Sequence, residues 1–451
     1  MTAPDAVSET TPAPSWRESL SVYLQKRVLI VLLLGFSSGL PLALSGSTLL
    51  VWMREAGVDL GTIGLFALVG TPYTLKFLWA PLVDALHVPF FTTRFGRRRG
   101  WLLFSQLFLI AAILLQALAD PARSPLFVAL AALLVATASS TQDIVVDAFR
   151  VESLPESEQA AGMASYVAAY RIGMLISTAG ALFIVSGFES SGLPRTSAWM
   201  CGYVVMAVLV VIGIATALGA TEPPQSERTE AATHAEHAFT RVAHAAVGAF
   251  SEFLTRRDAL AVLAFVVLFK FTDAFSGTMT APFVIDLGFS RNDYAAIVKG
   301  VGLAATLIGG FAGGFVARRY SLAASLWIGG VLQALANLSF SWLALVGINQ
   351  WALALAITAE NLTSAIGTVI FVAYLSALCR NPLHTATQYA LLTALAAVGR
   401  TYLASSAGYV AKATGWPLFF AICVLVAIPS LLLLVYLQRR RHFEALGPVR
   451  V

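Results

Sequence analysis

Residues 124–150, SPLFVALAALLVATASSTQDIVVDAFR, contain an apolar run that decides the fold class. Positions 124–142 carry no charge, and a helix of about 20 apolar residues crosses the ~30 Å hydrocarbon core of a membrane. The run therefore predicts a membrane-spanning helix. It ends with two acids, Asp143 and Asp147, which are four residues apart and so lie on one face of that helix.

Comparable apolar runs recur along the whole chain of 451 residues. Hydrophobic residues make up 58% of the sequence and charged residues 12%, whereas soluble domains carry about 25% charged residues. The sequence therefore predicts an all-α polytopic membrane protein with about twelve spans. The predicted spans are 28–52, 61–83, 100–119, 124–149, 160–187, 196–219, 259–285, 293–316, 322–346, 351–379, 386–411 and 416–438.

One long polar segment, 220–258, separates the predicted spans into two groups of six. Apolar residues at helical spacing between Phe239 and Leu254 fit either a helix on the membrane surface or a solvated linker. We predict a tail at 1–26, a first six-helix bundle at 27–219, a linker at 220–258, a second six-helix bundle at 259–438 and a tail at 439–451.

Lysine and arginine are distributed unevenly between the two sides of the membrane. Nineteen lie in the tails and in the segments on the side of the termini, and five lie in the opposite loops. The positive-inside rule then predicts that both termini are cytoplasmic. The same rule explains the net charge of +5, which therefore does not indicate a nucleic-acid partner. The three cysteines lack the spacing of a metal site, and no cofactor is predicted.

The two halves contain a matching pair of polar residues. Gln159 and Arg171 are twelve residues apart in the fifth span, and Gln388 and Arg400 are twelve residues apart in the eleventh. The two pairs are offset by 229 residues. With the six-plus-six count, this spacing indicates parallel repeats, which place a substrate site near mid-membrane on the axis between the halves.

Several ionisable residues lie within predicted spans, where each costs roughly 2.5–3.5 kcal/mol. Internal pairing is one explanation, and Lys270 and Asp273 are one helical turn apart, so they could neutralise each other. A functional role is the other explanation, because a scaffold could use apolar residues instead. The residues are Lys76, Asp143, Asp147, Arg171, Lys270, Asp273, Lys299, Glu360 and Arg400.

The acids among them are candidates for carrying a proton, because burial favours the neutral form of a carboxyl group until a cation approaches. We predict that Asp143 or Asp273 is the proton carrier, with Glu360 as a further candidate. Asp147 lies nearer the end of its span, close to Arg150, and we predict that it pairs with a neighbouring base.

The bases and neutral polar groups are candidates for binding a solute. Lys76, Arg171, Lys270 and Arg400 could meet carboxylates. Gln142, Asn361 and Gln388 could hydrogen-bond sugar or peptide groups, and Tyr73 and Tyr170 could stack on sugar rings. The alternative for each neutral group is a structural contact between helices.

Two further motifs suggest conformational roles. Gly39 and Pro41 interrupt the first span and predict either a gating hinge or a static kink. Asp84 closes the second span, and Arg97 and Arg98 open the third. These three residues predict a latch between helix ends, although the arginines could serve only to fix topology.

Six segments carry a family resemblance. They are LGFSSGLPLALSGSTLLVWMREAGVDLGTIGLFALVGTPYTLKFLWAPLVD (34–84), RRRGWLL (97–103), STQDIVVDA (140–148), YRIGML (170–175), FKFTDAF (269–275) and ATQYALLTALAAVGR (386–400). The sequence resembles the anhydromuropeptide permeases of Gram-negative bacteria, within the major facilitator superfamily, from about residue 27 to 438.

The resemblance implies two six-helix bundles around a central cavity in the bacterial inner membrane. It implies import of N-acetylglucosaminyl-1,6-anhydro-N-acetylmuramyl peptides for peptidoglycan recycling, with the proton gradient as driver and with a link to β-lactamase induction. It also implies a monomer in contact with membrane lipid.

Three other functions remain as alternatives. A major facilitator carrier could take another polar or anionic solute of the sugar, peptide or acyl-CoA type. A sensor could bind a solute without moving it. A membrane enzyme would need a catalytic cluster, but all six histidines lie outside the predicted spans or at their ends, so we expect no enzyme.

Overall fold

A computed structural model describes residues 21–223 and 254–446, apart from 256 and 379–384. Within these ranges the chain forms helices and no strand, so the predicted all-helical architecture is confirmed. The linker residues 224–253, with the predicted surface helix, lie outside the described residues.

Ten described helices are long and apolar enough to cross a membrane. They match the predicted spans other than the second and the eleventh. Their bounds are Lys26–Glu55, Arg97–Ala117, Pro125–Ser153, Ala161–Ser190, Arg195–Gly219, Ala259–Asp286, Arg291–Ala317, Leu322–Val346, Gln350–Leu378 and Trp416–Arg439.

The second predicted span, 61–83, is helical but is broken into short segments. Pro72 and Pro81 stand at the start of new segments, since proline lacks the N–H that would continue the preceding helix. The pieces are Leu60–Leu65, Phe66–Gly70, Thr71–Leu75, Lys76–Leu78 and Ala80–Ala85, of which the second and fourth are 3₁₀ turns.

The eleventh predicted span, 386–411, is broken in a similar way. Helix Thr385–Thr401 is followed by a 3₁₀ turn at Leu403–Ser406 and by helix Ala407–Thr414. Broken helices at membrane depth are accommodated where neighbouring helices cover their backbone. Here the second and eleventh spans pack against each other.

The two halves pack by the same scheme. In the first half the fifth span packs on the first, and the third packs on the fourth and sixth. In the second half the eleventh packs on the seventh, and the ninth packs on the tenth and twelfth. Between the halves the first span meets the seventh, the second meets the eleventh and the fifth meets the eighth. This arrangement is that of two parallel repeats about one axis.

The first span is interrupted, but beyond the predicted hinge. Helix Lys26–Leu44 continues through Gly39 and Pro41, and the break falls at Ser45 and Gly46. Gly39 serves close packing instead, because a Cβ atom there would overlap the Tyr170 carbonyl of the fifth span. A hinge motion at Gly39 and Pro41 stays a prediction.

Contact between the halves is concentrated toward one end of the molecule. The contacting pieces include Ser47–Glu55 with the seventh span, and Leu60–Leu65 with Ala407–Thr414. Backbones touch at Gly64 and Gly408, where neither position has room for a Cβ atom. We call this end, which carries Glu55, the closed face. Among the described residues, the main contacts do not extend to the opposite end, and we call the space between the halves there the cleft.

Candidate functional site

Asp143 is the buried acid of the first half. Its side chain is 8% exposed, and its Oδ1 atom has no hydrogen-bond partner in the described part of the chain. The charges of Lys76, on the broken second span, and of Asp147 act on it. The nearby Tyr73 hydroxyl is also buried, and it has no hydrogen-bond partner among the described residues. The structure therefore places two predicted candidates, Lys76 and Tyr73, near the carboxyl group of a third, Asp143.

Asp147 has a different environment from Asp143. Its side chain is 49% exposed, and its Oδ1 atom lies 3.7 Å from Nη2 of Arg150, one helical turn along. The pairing with a neighbouring base that we predicted is therefore present. The exposed carboxylate is stabilised by water as well as by the arginine, so it is the less suitable of the two acids for holding a proton.

Gln142 does not lie on the cleft, in contrast to the prediction that it binds substrate. It is fully buried in the first bundle, where its amide donates to the hydroxyls of Ser37 and Ser38 at 3.4 Å each. Consecutive side chains on a helix point about 100° apart. With Gln142 turned into the bundle, the side chain of Asp143 points toward a different side of the helix. Direct contact between Gln142 and a solute is excluded in this conformation.

The second half holds a buried ion pair. Lys270 Nζ lies 2.9 Å from Asp273 Oδ2 on the seventh span and donates to Thr368 at 2.9 Å. Ser364 of the tenth span donates to Asp273 Oδ1 at 2.7 Å. Both carboxylate oxygens of Asp273 are therefore engaged, whereas Asp143 has one without a partner. This contrast favours Asp143 over Asp273 as the group that exchanges a proton.

Glu360 and Asn361 lie on the tenth span beside the eighth. Asn361 donates to Glu360 Oε2 at 2.9 Å and accepts from Thr306 at 3.2 Å. The Lys299 ammonium acts on Glu360 and lies 5.4 Å from the centre of the Tyr294 ring. Asn361 is therefore bound mainly within the bundle, and Glu360 shares its surroundings with a base.

The fifth and eleventh spans contribute Tyr170, Arg171 and Arg400. Both arginines are exposed, and the charges of both act on the Tyr170 hydroxyl. Next to Arg400, the Thr401 hydroxyl forms a hydrogen bond of 3.0 Å with Thr74 of the second span, across the two halves. The side chain of Gln388 lies outside the described residues.

The predicted latch has a partner that sequence reasoning missed. Arg97 and Arg98 are buried, and both bind Glu152 at the end of the fourth span, with Nη2 to Oε1 distances of 3.2 and 2.6 Å. Glu222 accepts the backbone N–H of Arg98 at 2.8 Å. The side chain of Asp84 lies outside the described ones, so its pairing with Arg97 stays a prediction.

We expect Glu152→Gln to destabilise the first half by about 2–4 kcal/mol, because it removes a negative charge that binds two buried guanidinium groups. The measurement is the melting temperature of the purified protein in detergent. Glu444→Gln is the matched control, since Glu444 is 74% exposed and lies 4.0 Å from Arg441. Equal melting temperatures for the two variants would contradict the role of Glu152.

A cluster of ion pairs joins the halves at the closed face. Its arginines are among the five basic residues of the loops opposite the termini, and their partners were not predicted. We call Arg54, Glu55, Glu189, Asp286 and Arg291 the interhalf cluster. Arg54 of the first span binds Asp286 of the seventh. In the reverse direction, Arg291 of the eighth span binds Glu55 and Glu189 of the first half. Each half thus inserts an arginine into the other.

Burial and aromatic contacts distinguish this cluster from ordinary surface ion pairs. The Arg291 side chain is 7% exposed and lies 5.7 Å from the centre of the Trp199 ring, whose Nε1 donates to Glu55 at 3.2 Å. Trp416 donates to Asp286 at 3.1 Å. Removing one partner of such a desolvated pair strongly destabilises the protein, because the other charge stays buried without compensation.

A second, exposed pair crosses the same face. Lys412 Nζ lies 3.3 Å from Asp59 Oδ1, with side chains 61% and 48% exposed. The hydrogen bond from the Thr62 hydroxyl lowers the pKa of the Asp59 carboxyl, which also caps the helix that begins at Leu60. An exposed pair of this kind contributes little to the contact between the halves.

Within the described ranges, no group of three or more His, Cys, Asp or Glu side chains is placed to hold a metal ion. The arrangement is instead a cleft with acids and bases at membrane depth, closed at one end by ion pairs. It can bind a charged solute, exchange a proton at a buried carboxyl group and change the contacts between the halves.

Comparison with known proteins gives a consistent result. Residues 31–401 match the model of the Major Facilitator Superfamily. The chain is 38% identical to the anhydromuropeptide permease of Escherichia coli K12 over 94% of this chain and 82% of that protein. It is 33% identical to the putative transporter AmpG 4 of Rickettsia felis over 93% and 98%. The fold is similar to that of the nucleoside transporter NupG, with a TM-score of 0.69 at 13% identity over 95% of this chain and all of that one.

Proposed function

The chain belongs to the major facilitator superfamily and, within it, to the anhydromuropeptide permease family, and we propose that it imports N-acetylglucosaminyl-1,6-anhydro-N-acetylmuramyl peptides into the bacterial cytoplasm. It is a multi-pass membrane transporter of a small molecule, so the predicted class of carrier rather than enzyme is confirmed. Import of this solute serves peptidoglycan recycling and supplies the signal for β-lactamase induction.

One observation carries this proposal beyond family membership, namely the mixed charge at mid-depth of the cleft. The first half contributes Lys76 and Asp143, and the second contributes Lys270, Asp273 and Arg400. A glycopeptide has amide and hydroxyl groups together with peptide carboxylates, so it needs both hydrogen-bonding groups and bases in its site. A site for a neutral sugar alone would not need several intramembrane bases, each of which is costly.

The proton gradient drives import in this proposal, and no cofactor takes part. Asp143 is the coupling residue, because it is buried, has an oxygen without a hydrogen-bond partner and lies within reach of the Lys76 charge. Movement of Lys76, or entry of a cationic group of the substrate, changes the balance between the neutral and ionised forms of Asp143. Proton release to the cytoplasm then follows substrate release.

The closed face is periplasmic in this proposal, and the cleft opens to the cytoplasm. The uneven distribution of basic residues supports this orientation, with both termini cytoplasmic and the chain in the inner membrane. The cluster of Arg97, Arg98 and Glu152 then lies on the cytoplasmic side. The functional unit is the monomer, since each chain contains both repeats around one site.

The test is uptake of radiolabelled anhydro-disaccharide tripeptide into proteoliposomes, with and without an inward proton gradient. We expect accumulation above the external concentration only with the gradient. Unlabelled muropeptide should compete, whereas a simple sugar, an unrelated tripeptide and acetyl-CoA should not. Competition by one of these three instead would reassign the substrate. Absence of muropeptide uptake under all conditions would overturn the proposal.

A further inference from the structure

Two intramembrane arginines have no ion pair or hydrogen bond in the part of the chain that the structure describes. Arg171 lies ten residues inside the fifth span, about 15 Å from its end. Arg400 lies fifteen residues inside the eleventh span, which begins at Thr385. The two occupy equivalent positions in the sequence repeat, twelve residues after a glutamine. Both side chains are exposed.

An exposed guanidinium group at this depth must face a water-filled space or bind an anion, because contact with lipid tails is costly. The charge of Arg400 acts on Tyr170 of the first half and on Asp273 of the second, so it lies at the boundary between the halves. The hydrogen bond of Thr401 to Thr74, at 3.0 Å, fixes the adjacent backbone there. The charge of Arg171 acts on the same Tyr170 hydroxyl.

The other intramembrane bases are lysines, and each lies near a group of its own half. Lys270 forms an ion pair with Asp273 and a hydrogen bond with Thr368. Lys299 lies against the Tyr294 ring, and its charge acts on Glu360. The charge of Lys76 acts on Asp143. Arg171 and Arg400 are the arginines of this set, and no ion pair or hydrogen bond occupies their guanidinium donors in the described part of the chain.

Arginine is suited to carboxylates, since its planar donors form two parallel hydrogen bonds with one carboxylate group. We propose that Arg171 and Arg400, one from each half and both near Tyr170, form a carboxylate-binding pair that recognises the peptide part of the substrate. This inference rests on the proposed function and adds to it which chemical group the repeat-related arginines select. It makes the free peptide carboxylates one group of the substrate that engages both halves.

The test compares two ligands in each protein variant. One ligand is the anhydro-disaccharide tripeptide, and the other is the same molecule with its peptide carboxylates converted to carboxamides. Binding is measured by competition in counterflow at one pH without a gradient, so that proton coupling does not contribute. For the wild type we expect the carboxamide to bind roughly ten- to hundredfold more weakly, because it forms no charge-assisted hydrogen bonds.

In Arg171→Gln and Arg400→Gln we expect the carboxylate form to lose most of this advantage, and in the double variant to lose all of it. The ratio of the two affinities within one variant does not depend on how much protein folds, so it separates recognition from stability. Arg123→Gln is the matched control, since Arg123 is 88% exposed and pairs with Asp120 outside the cleft. It should keep the wild-type ratio.

The outcomes separate this proposal from the proposed function. Equal binding of both ligands by the wild type would overturn the carboxylate pair and leave muropeptide transport intact. A wild-type ratio that persists in the double variant would show that the arginines do not contact the carboxylates. Binding of neither ligand by the wild type would overturn the proposed function itself, and with it this inference.

Discussion

We expect replacement of Asp143 by Asn to abolish gradient-driven accumulation of substrate and to leave counterflow intact. The amide has the shape of the neutral acid but cannot release a proton. Because Asp143 has an oxygen without a hydrogen-bond partner, Asn of nearly the same shape fits the site without breaking a hydrogen bond at that atom. Exchange of labelled for unlabelled substrate needs no net proton movement, so the variant should still catalyse it.

The measurement is concentrative uptake and counterflow with the same batch of proteoliposomes. We expect gradient-driven uptake by Asp143→Asn to fall to the level of liposomes without protein. Asp147→Asn is the matched control. It removes the same negative charge one helical turn from Asp143, and the Asp147 side chain is 49% exposed. It should keep most of its coupled uptake.

Two results would contradict this assignment. If Asp143→Asn still concentrates substrate, Glu360 is the next acid to test, since its carboxyl group lies on the tenth span and outside the Lys270 ion pair. If Asp143→Asn loses counterflow as well, the carboxyl group binds substrate or supports the fold rather than coupling transport to protons.

Local features of the site were predictable from the sequence, because their partners are one helical turn apart. The pairs Lys270–Asp273 and Asp147–Arg150 both follow from spacing within one helix. The spans themselves follow from apolar runs that match the membrane thickness. The breaks in the second and eleventh spans did not follow, because a hydropathy pattern measures composition and is insensitive to the missing N–H groups of Pro72 and Pro81.

Contacts between distant parts of the chain were beyond the sequence analysis. Glu152 is 55 residues from Arg97, and Asp286 is 232 residues from Arg54. A charged residue at the end of a span satisfies the positive-inside rule equally well with or without a partner. The one available signal was the repeat, since the first and seventh spans both end with charged residues. The repeat indicates that the ends of these two spans are equivalent positions, but it does not identify which acid binds which arginine.

Replacement of Arg291 by Gln should open the closed face. The variant leaves the carboxylates of Glu55 and Glu189 without their buried partner, which typically costs about 3–5 kcal/mol. Because these carboxylates belong to the first half and Arg291 to the second, this cost applies only to conformations in which the halves touch at this face. A penalty of this size changes a two-state equilibrium by roughly a hundredfold or more.

The opening can be measured as the distance between spin labels at Ser191 and Asn292, exposed positions on the two halves at the closed face. Labelling requires a background in which Cys201, Cys379 and Cys423 are replaced. We expect Arg291→Gln to shift the distance distribution towards longer values. Lys412→Gln is the matched control, because it removes an exposed ion pair across the same face, and such pairs contribute about 0–1 kcal/mol. It should leave the distribution nearly unchanged.

This comparison isolates burial as the cause of closure, since both variants remove one positive charge from the same interface. An unchanged distribution in Arg291→Gln would mean that backbone packing at Gly64 and Gly408 is sufficient to hold the face closed. Equal opening in both variants would mean that net charge, rather than the desolvated pairs, controls the equilibrium. If only Arg291→Gln opens, the buried ion pairs hold this face closed, and they must break each time the face opens to admit substrate.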